Sequence, residues 1–382
     1  MPKPIFPRPL FDDAHQKTQG LTTVNQKAVA HAAKLLSTGG LVAFPTETVY
    51  GLGADAENIG AVKLIYLAKG RPQNHPVIVH VAAHANLQHW AKDIPDEAHK
   101  LIKAFWPGPL TLILKRQPSL PAQVSGGQDT IGLRCPLHPV AQALIQALAS
   151  HKPNGQAGVA APSANLFGHV SPTLAAHVKA EFPVLVAQGM PVLEGGASEV
   201  GIESTIVDLS RVQAGQGVFL LRPGGISALQ IEAVLGQALQ GVDAEAPRVS
   251  GSLKAHYAPR TPIMLLPAKS SVYEQNTPQA VVSAYQSWLK RHLNKKAVVA
   301  SHRQDDFNQL KQKIQTQQGE VIFKLLAQTS GAYAHDLYAT LRGIDDLHVD
   351  QIFWCQPPQT AEWNGVNDRL NRAAAAFSEK EL

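Results

Sequence analysis

The chain has 382 residues, 45% hydrophobic and 16% charged, with a formal net charge of +5 and an isoelectric point of about 9.1. That composition fills a core and excludes a wholly disordered chain, and the length points to two or three domains. Two distant cysteines, Cys135 and Cys355, exclude a disulfide framework or a zinc site, and no apolar run is long enough to span a bilayer. The modest positive balance suits anionic ligands such as nucleotides or RNA without choosing between them. Prolines and acids stand near the start where a signal peptide needs an apolar core, so the expected compartment is the cytoplasm, with no membrane contact.

Residues 1–20 are proline-rich and aperiodic and read as an irregular leader. Thr22 or Thr23 caps a predicted helix that runs to about Ser37, with Val24, Ala28, Leu35 and Leu36 as its apolar stripe. Gly39 and Gly40 stop it. Leu41–Pro45 is a short apolar run, read as a buried strand that Pro45 ends because proline cannot donate to a ladder. The next stretch, Thr46-Glu47-Thr48-Val49-Tyr50-Gly51-Leu52-Gly53, reads as one loop holding two hydroxyls, a carboxylate and a phenol. A strand end followed by a polar, glycine-bearing loop is where α/β proteins place ligands. An ordinary surface hairpin is the alternative, and the loop alone does not decide.

Asn58 caps a predicted helix over Ile59–Ala68, whose exit carries Lys69-Gly70-Arg71-Pro72. His75–Val81 reads as a strand, Asp96–Phe105 as a helix broken by Trp106-Pro107-Gly108-Pro109, and Leu110–Lys115 and Thr130–Cys135 as strands. Pro139–Leu148 is helical, and Val159–Asn165 is a small-residue strand running into a loop. Ser171-Pro172 has the signature of a helix start. Val184–Ala187, Ser204–Leu209 and Val218–Leu221 read as further strands, and Ser227–Leu235 as a helix. Many short strands among helices predict a sheet with parallel and antiparallel neighbours.

Gly236–Thr261 lacks apolar period and reads as a linker, yet Lys254-Ala255-His256-Tyr257-Ala258-Pro259-Arg260 is too rich in cations and aromatics for a passive tether. From Ile263, predicted strands at 263–267, 297–301, 321–325 and 351–355 alternate with helices at Ala280–Leu293, Asp306–Gln317, Ala332–Leu341 and from Trp363. This alternation predicts a small, doubly wound parallel sheet. No Gly-x-Gly-x-x-Gly follows its first strand, so regulation, closure or assembly is its expected role.

No nucleophilic triad, P-loop or zinc spacing is present among the 16 histidines and their neighbours. Taken alone, His80 reads as a hydrogen-bonded core histidine. The first domain instead places cations and hydroxyls at strand and helix ends: Lys69, Arg71, Arg134, Ser163, Asn165, Ser204, Thr205 and Arg222. Together they describe a concave, positive, hydroxyl-rich site suited to phosphate plus a small zwitterion.

These residues also stand in a recognisable order. The loop Pro45–Gly53, Lys69-x-Arg71, Trp106-Pro107-Gly108-Pro109-Leu110-Thr111, Ala161-Pro162-Ser163-Ala164-Asn165, Glu203-Ser204-Thr205-Ile206-Val207 and Leu221-Arg222-Pro223-Gly224 resemble the motifs of YrdC-like proteins. With His256-Tyr257-Ala258-Pro259 in the linker, the full length resembles the two-domain threonylcarbamoyl-AMP synthases of that family. The resemblance is dense over residues 22–225, local at the linker and weak beyond it. It implies a leader (1–21), a YrdC-like catalytic domain built on a twisted mixed sheet (22–225), a helix with a linker or lid (226–261), and a Rossmann-like parallel α/β domain (262–382).

The implied reaction joins L-threonine, bicarbonate and ATP, with magnesium, into threonylcarbamoyl-AMP and pyrophosphate. A downstream transferase system then modifies the tRNA adenosine beside the anticodon. By position, the resemblance gives L-threonine to Thr48, His80, Arg134, the backbone of Ala161, and Ser204. It gives ATP to Arg71, His75, Thr130, Ser163, Asn165, Ser171, Arg222 and Tyr257, and catalysis to Lys69 and Arg71. It names no magnesium ligand. Two positions depart from the family pattern: His75 replaces a small polar residue, and Ser250–Lys254 replaces a Pro-Gly-Met-Lys element. The rival is a non-catalytic RNA- or tRNA-binding protein using the positive concave face. The enzyme is favoured because the cations sit singly at strand ends and aromatics are only 6%. A carbamoyltransferase of hydrogenase maturation would need zinc-finger cysteines, which two cysteines do not supply.

Overall fold

The computed structural model describes residues 24–266, 277–292, 295–315 and 320–378. The expected leader, the Thr22/Thr23 cap, and the predicted element ends at Pro267, Leu293 and residues 316–317 lie outside the described residues. Asn25 caps the first described helix, Gln26–Ser37, its side chain accepting from the Ala28 amide.

Nine strands form the first sheet: β1 (Val42–Phe44), β2 (Gly51–Asp55), β3 (Ile78–Val81), β4 (Ala91–Lys92), β5 (Leu110–Arg116), β6 (Thr130–Arg134), β7 (Gly158–Ala160), β8 (Thr205–Asp208) and β9 (Phe219–Arg222). Their order is β1-β2-β7-β3-β6-β5-β8-β9, with β4 on β5. Two pairs, β3/β6 and β5/β8, are parallel and the others antiparallel, so the sheet is mixed. Helices cover both faces. Around β7, Val159 and Ala161 face a core built with helices Gln26–Ser37 and Pro139–Ala149. Ala160, between them, faces the core of helices Ile59–Lys69, Asp96–Phe105 and Ala228–Leu235.

The second sheet is parallel throughout, in the order β10 (Ile263–Leu266), β13 (Gln351–Cys355), β11 (Lys296–Ser301), β12 (Glu320–Leu325). Helices Thr277–Arg291, Gln304–Gln315 and Ser330–Asp345 connect its strands, and Asn364–Ala375 follows the last. No helix among the described residues is long and apolar enough to cross a membrane.

Three local expectations are corrected. Gly51–Asp55 is a strand, not loop: it pairs with β1 and β7, burying every residue. What comes close to Gly53 is core, since a Cβ there would lie 2.6 Å from Val159 Cγ1 and 2.8 Å from Phe44 Cε1. The run Val184–Ala187 is part of a helix, Pro183–Ala187, because Pro183 opens a helical turn and a short apolar run carries no period to mark it as strand. Ser171 caps no helix: the next one begins at Ala175, and the Ser171 hydroxyl is committed elsewhere.

The linker is pinned along its length. Leu220 N donates to Gln240 O and Gln240 N to Val218 O, Arg211 pairs with Asp243 at 2.9 Å, and Arg248 N donates to Gln128 Oε1 at 2.8 Å. Further on, Ala258 N donates to Gly168 O at 2.9 Å, and Arg260 N and Thr261 N both donate to the Asp345 carboxylate at 2.9 Å. One apolar cluster crosses between the two sheets, joining Val49, Val170 and Ile202 to Leu337, Val366 and Leu370. Two close approaches are glycine-made: a Cβ on Gly201 would overlap Ala334 O, and one on Gly365 would lie 2.9 Å from Gly224 O.

Candidate active site

The turn after β1 builds the first wall. Thr46 Oγ1 donates to Val49 O at 2.6 Å and accepts from the amides of Thr48 and Val49, which turns Glu47 and Thr48 inward, both buried. At the ends of parallel neighbours β3 and β6, His80 and Arg134 stand in register. Arg134 Nη2 lies 2.7 Å from Glu47 Oε1, and its Nε donates to Gly108 O at 3.3 Å. Glu47 Oε2 accepts from the Leu137 amide at 3.1 Å. On the far side, Ser204 enters β8 and shares a 2.7 Å hydrogen bond with Thr111. Arg222 ends β9, its Nε and Nη2 donating to Ser204 O at 3.2 and 2.8 Å.

The linker closes the top. Arg71 Nη2 donates to Pro76 O and to Ser250 Oγ, each at 2.9 Å, while Arg222 Nη1 donates to Ser250 O at 2.8 Å. Tyr257, buried and at a φ of 60°, lies between the two sheets, 5.8 Å from the Tyr338 ring. With Ser250, Gly251, His256 and Tyr257 in place, about 40 Å³ of free space is left inside.

The sequence-predicted residues divide in two. Thr48, His80, Arg134, Ala161 and Ser204 line this one cavity. So do Arg71, Ser163, Arg222 and Tyr257. The other five do not. Lys69 sits behind the wall, its amine donating to the carbonyls of Ser163 (2.6 Å) and Asn165. The Asn165 amide donates to Leu166 O and His169 O. His75 packs edge-on against Phe167 at 5.6 Å. Thr130 is at the opposite end of β6 from Arg134, paired with Lys115. Ser171 Oγ donates to Glu203 Oε1 at 2.5 Å. Sequence reasoning left out Thr46, Glu47, Glu203, Ser250, Gly251 and His256. The signal for the acids was present: a concave cluster of buried arginines needs countercharge.

Burial governs the electrostatics. It would push the Glu203 carboxyl up, but Arg369 and then Arg222 hold it down at about 2. Burial, reinforced by Arg134, lowers His80 to about 3, and burial lowers His256 to about 3, so both imidazoles are neutral at pH 7. Burial and then Arg71 lower Lys69 well below an ordinary lysine. Arg71 falls only to about 10, mainly through burial, and stays charged. Arg71 Nε, His80 Nδ1 and His256 Nδ1 are buried with no hydrogen-bond partner. A cavity with three buried guanidiniums, hydroxyls and unpaired donors is built for a ligand carrying more than one anionic group.

Known proteins place the chain. The family described as Telomere recombination, the Sua5, YciO and YrdC group, matches residues 34–224. The family described as Threonylcarbamoyl-AMP synthase, C-terminal domain, matches residues 226–375. The threonylcarbamoyl-AMP synthase of Pyrococcus abyssi is 36% identical over 90% of this chain and 93% of its own. The chain belongs to the threonylcarbamoyl-AMP synthase family. It is an enzyme of the nucleotidyltransferase type. The Bacillus subtilis threonylcarbamoyl-AMP synthase is 37% identical over 94% of this chain and 95% of its own. In three dimensions, the structure of Pyrococcus abyssi Sua5 complexed with L-threonine superposes with a TM-score of 0.76 at 34% identity, covering 92% of this chain and 96% of that one. The two-sheet architecture is therefore that of this synthase family, as the sequence motifs implied.

Proposed function

We propose that this synthase joins L-threonine, bicarbonate and ATP into threonylcarbamoyl-AMP and pyrophosphate in the cytoplasm. A downstream transferase system would then carry the threonylcarbamoyl group to the tRNA adenosine beside the anticodon. The observation that carries the proposal is the meeting of Arg134, Arg71 and Arg222 with Thr48, Ser163 and Ser204 in one cavity. The solved relative bound to L-threonine supports the amino-acid substrate.

The chemistry divides between two ends of the cavity. The threonine amine, as free base, forms a bond to the carbon of bicarbonate, and water leaves. A carbamate oxygen then bonds to the α-phosphorus of ATP, the bond to the β-phosphate bridge breaks, and pyrophosphate departs with the electron pair. Arg134 offers a planar fork to the threonine carboxylate and trades part of its Glu47 contact for it. Thr48, neutral His80, the Ala161 backbone and Ser204 surround the amino acid. Arg71, Ser163, Arg222 and Tyr257 take the nucleotide, with the arginines countering charge on the leaving group. Lys69, Asn165 and Ser171 act from behind the wall. Lys69 and Asn165 shape the Ser163 loop, and Ser171 acts through Glu203. Carbamates are labile in water, so the closed linker has a chemical use.

Magnesium fits as part of the ATP substrate. The described residues hold no group of three or more metal-ligating side chains, and both the lining acid Glu203 and Glu47 beside Arg134 are committed to arginines. The test is pyrophosphate release from magnesium ATP and bicarbonate, with and without L-threonine. Release that needs threonine, and that serine supports less well, is expected. Threonine-independent release would reject the proposal, and salt-sensitive tRNA binding without turnover would reject it in favour of the RNA-binding alternative.

A further inference from the structure

We propose that Arg369, carried on helix Asn364–Ala375 beyond the second sheet, is a positioning residue of the nucleotide site: by saturating Glu203 it keeps Arg222 out of a fixed ion pair, so that this guanidinium can exchange its linker contact for an anionic ligand. The proposal rests on the nucleotide-binding role given to the cavity above. Arg369 is wholly buried, an expensive place for a charge without a task. Its Nε donates to Glu203 Oε2 at 2.7 Å, its Nη2 to Glu203 O at 3.2 Å, and its Nη1 to Pro223 O at 2.8 Å. Glu203 immediately precedes Ser204, and Pro223 immediately follows Arg222. One guanidinium thus clamps the residues flanking both cavity groups, from a helix that does not line the cavity.

The rest of the Glu203 environment points the same way. Tyr338 Oη donates to Oε2 at 2.9 Å and Ser171 Oγ to Oε1 at 2.5 Å. Each oxygen therefore has a donor, and none of them is Arg222, whose hydrogen bonds go to Ser204 O, Ser204 Oγ and Ser250 O. Without Arg369, a buried carboxylate would stand beside Arg222 with two neutral donors and no other arginine bonded to it. Glu203 and Arg222 attract one another electrostatically, and an arginine drawn to an uncompensated carboxylate is a poor receptor for phosphate. The Arg369 guanidinium also lies 5.4 Å from the Tyr257 ring centroid, so the same cation supports the linker aromatic.

The experiment uses the full chain and titrates a non-hydrolysable ATP analogue with magnesium by calorimetry, alongside KM values from pyrophosphate release. Arg369→Ala is expected to weaken analogue binding at least tenfold and to change the threonine KM less than threefold. Adding Glu203→Gln should recover most of the loss, because a neutral amide no longer competes for Arg222. Arg369→Lys, which keeps charge and loses the fork, should fall between and serves if the alanine variant does not fold. Unchanged analogue affinity in a folded variant would overturn the proposal. So would an equal loss for both substrates that Glu203→Gln leaves unrepaired. A wild-type chain that binds the analogue yet shows no threonine-dependent turnover would overturn the reaction above, and the affinity comparison would still decide the role of Arg369.

Discussion

Arg222 donates to the carbonyl of Ser250 at 2.8 Å, tying the end of β9 to the linker. Arg71 holds the hydroxyl of the same serine at 2.9 Å. Both cations assigned to phosphate are therefore occupied by the linker, and the 40 Å³ left inside has room for about one water molecule. On the proposed function, a nucleotide would enter only after the Ser250–Tyr257 segment lifts. Ser250→Ala removes the hydroxyl's bond to Pro76 O at 3.0 Å and the bond from Arg71, of which the latter, to a charged group, is worth about 1.5 kcal/mol. Nucleotide association is expected to accelerate roughly tenfold, since about 1.4 kcal/mol is one decade. Stopped-flow mixing with a fluorescent ATP analogue reads this, and an unchanged association rate would show that the linker does not gate entry.

Arg134 and Glu47 form a buried pair at 2.7 Å, on which the threonine carboxylate would intrude in the proposed reaction. Arg134→Lys keeps the charge and loses the fork, and should raise the threonine KM by about tenfold or more while the ATP KM stays within a factor of two or three. Arg134→Ala should also destabilise the fold by about 3 kcal/mol, because Glu47 is left buried and unpaired. A lysine variant with a normal threonine KM would remove Arg134 from the carboxylate site.

Much of the cavity was legible because its residues end regular elements. Arg134 and Arg222 close strands whose apolar run stops at a charged residue, Lys69 ends a helix that Gly70 caps at a φ of 61°, and Arg71 follows it. Spacing could not say which side of a wall each residue faces. Lys69 and Ser163 are neighbours, yet Lys69 grips the Ser163 carbonyl from behind while Ser163 itself lines the cavity. Nor could local pattern reveal the Glu203–Arg369 clamp, whose partners are 166 residues apart. The misread run Val184–Ala187 failed for a simpler reason: four apolar residues fit either period.

Lys69 was expected to be catalytic, and its position argues for a different experiment. A neutral amine has two N–H donors, matching the two carbonyls of Ser163 and Asn165 that it meets. Burial and Arg71 both favour that neutral form. Lys69→Met fills similar volume and leaves two buried carbonyls without this donor, costing about 1–3 kcal/mol each. Denaturant melts should show that loss, and the ATP KM should rise as the Ser163 loop relaxes. A variant of wild-type stability whose kcat alone collapses would instead restore a direct role in the chemistry.

His80 and His256 give the fold a defined response to acid. Both are buried and neutral, with folded-state values lowered to about 3 from the ordinary 6.5. The sign follows from where protons bind. Below about 6.5 the unfolded chain takes a proton on each imidazole, and the folded chain does not until about 3. The stabilisation is therefore complete above 6.5 and is lost as pH falls through the window, at about 1.4 kcal/mol per pH unit per histidine. Urea midpoints should decline steadily from pH 7 to pH 5. His177, lowered to about 4, and His75, His138 and His302, also lowered by burial, add to the same slope, so in His80→Asn, which cannot titrate, it should drop by clearly less than half even though the variant is less stable at pH 7. A midpoint that is level or rises between pH 7 and 5 would mean that these histidines accept protons in the folded cavity, and that His80 is not the neutral group the threonine subsite uses.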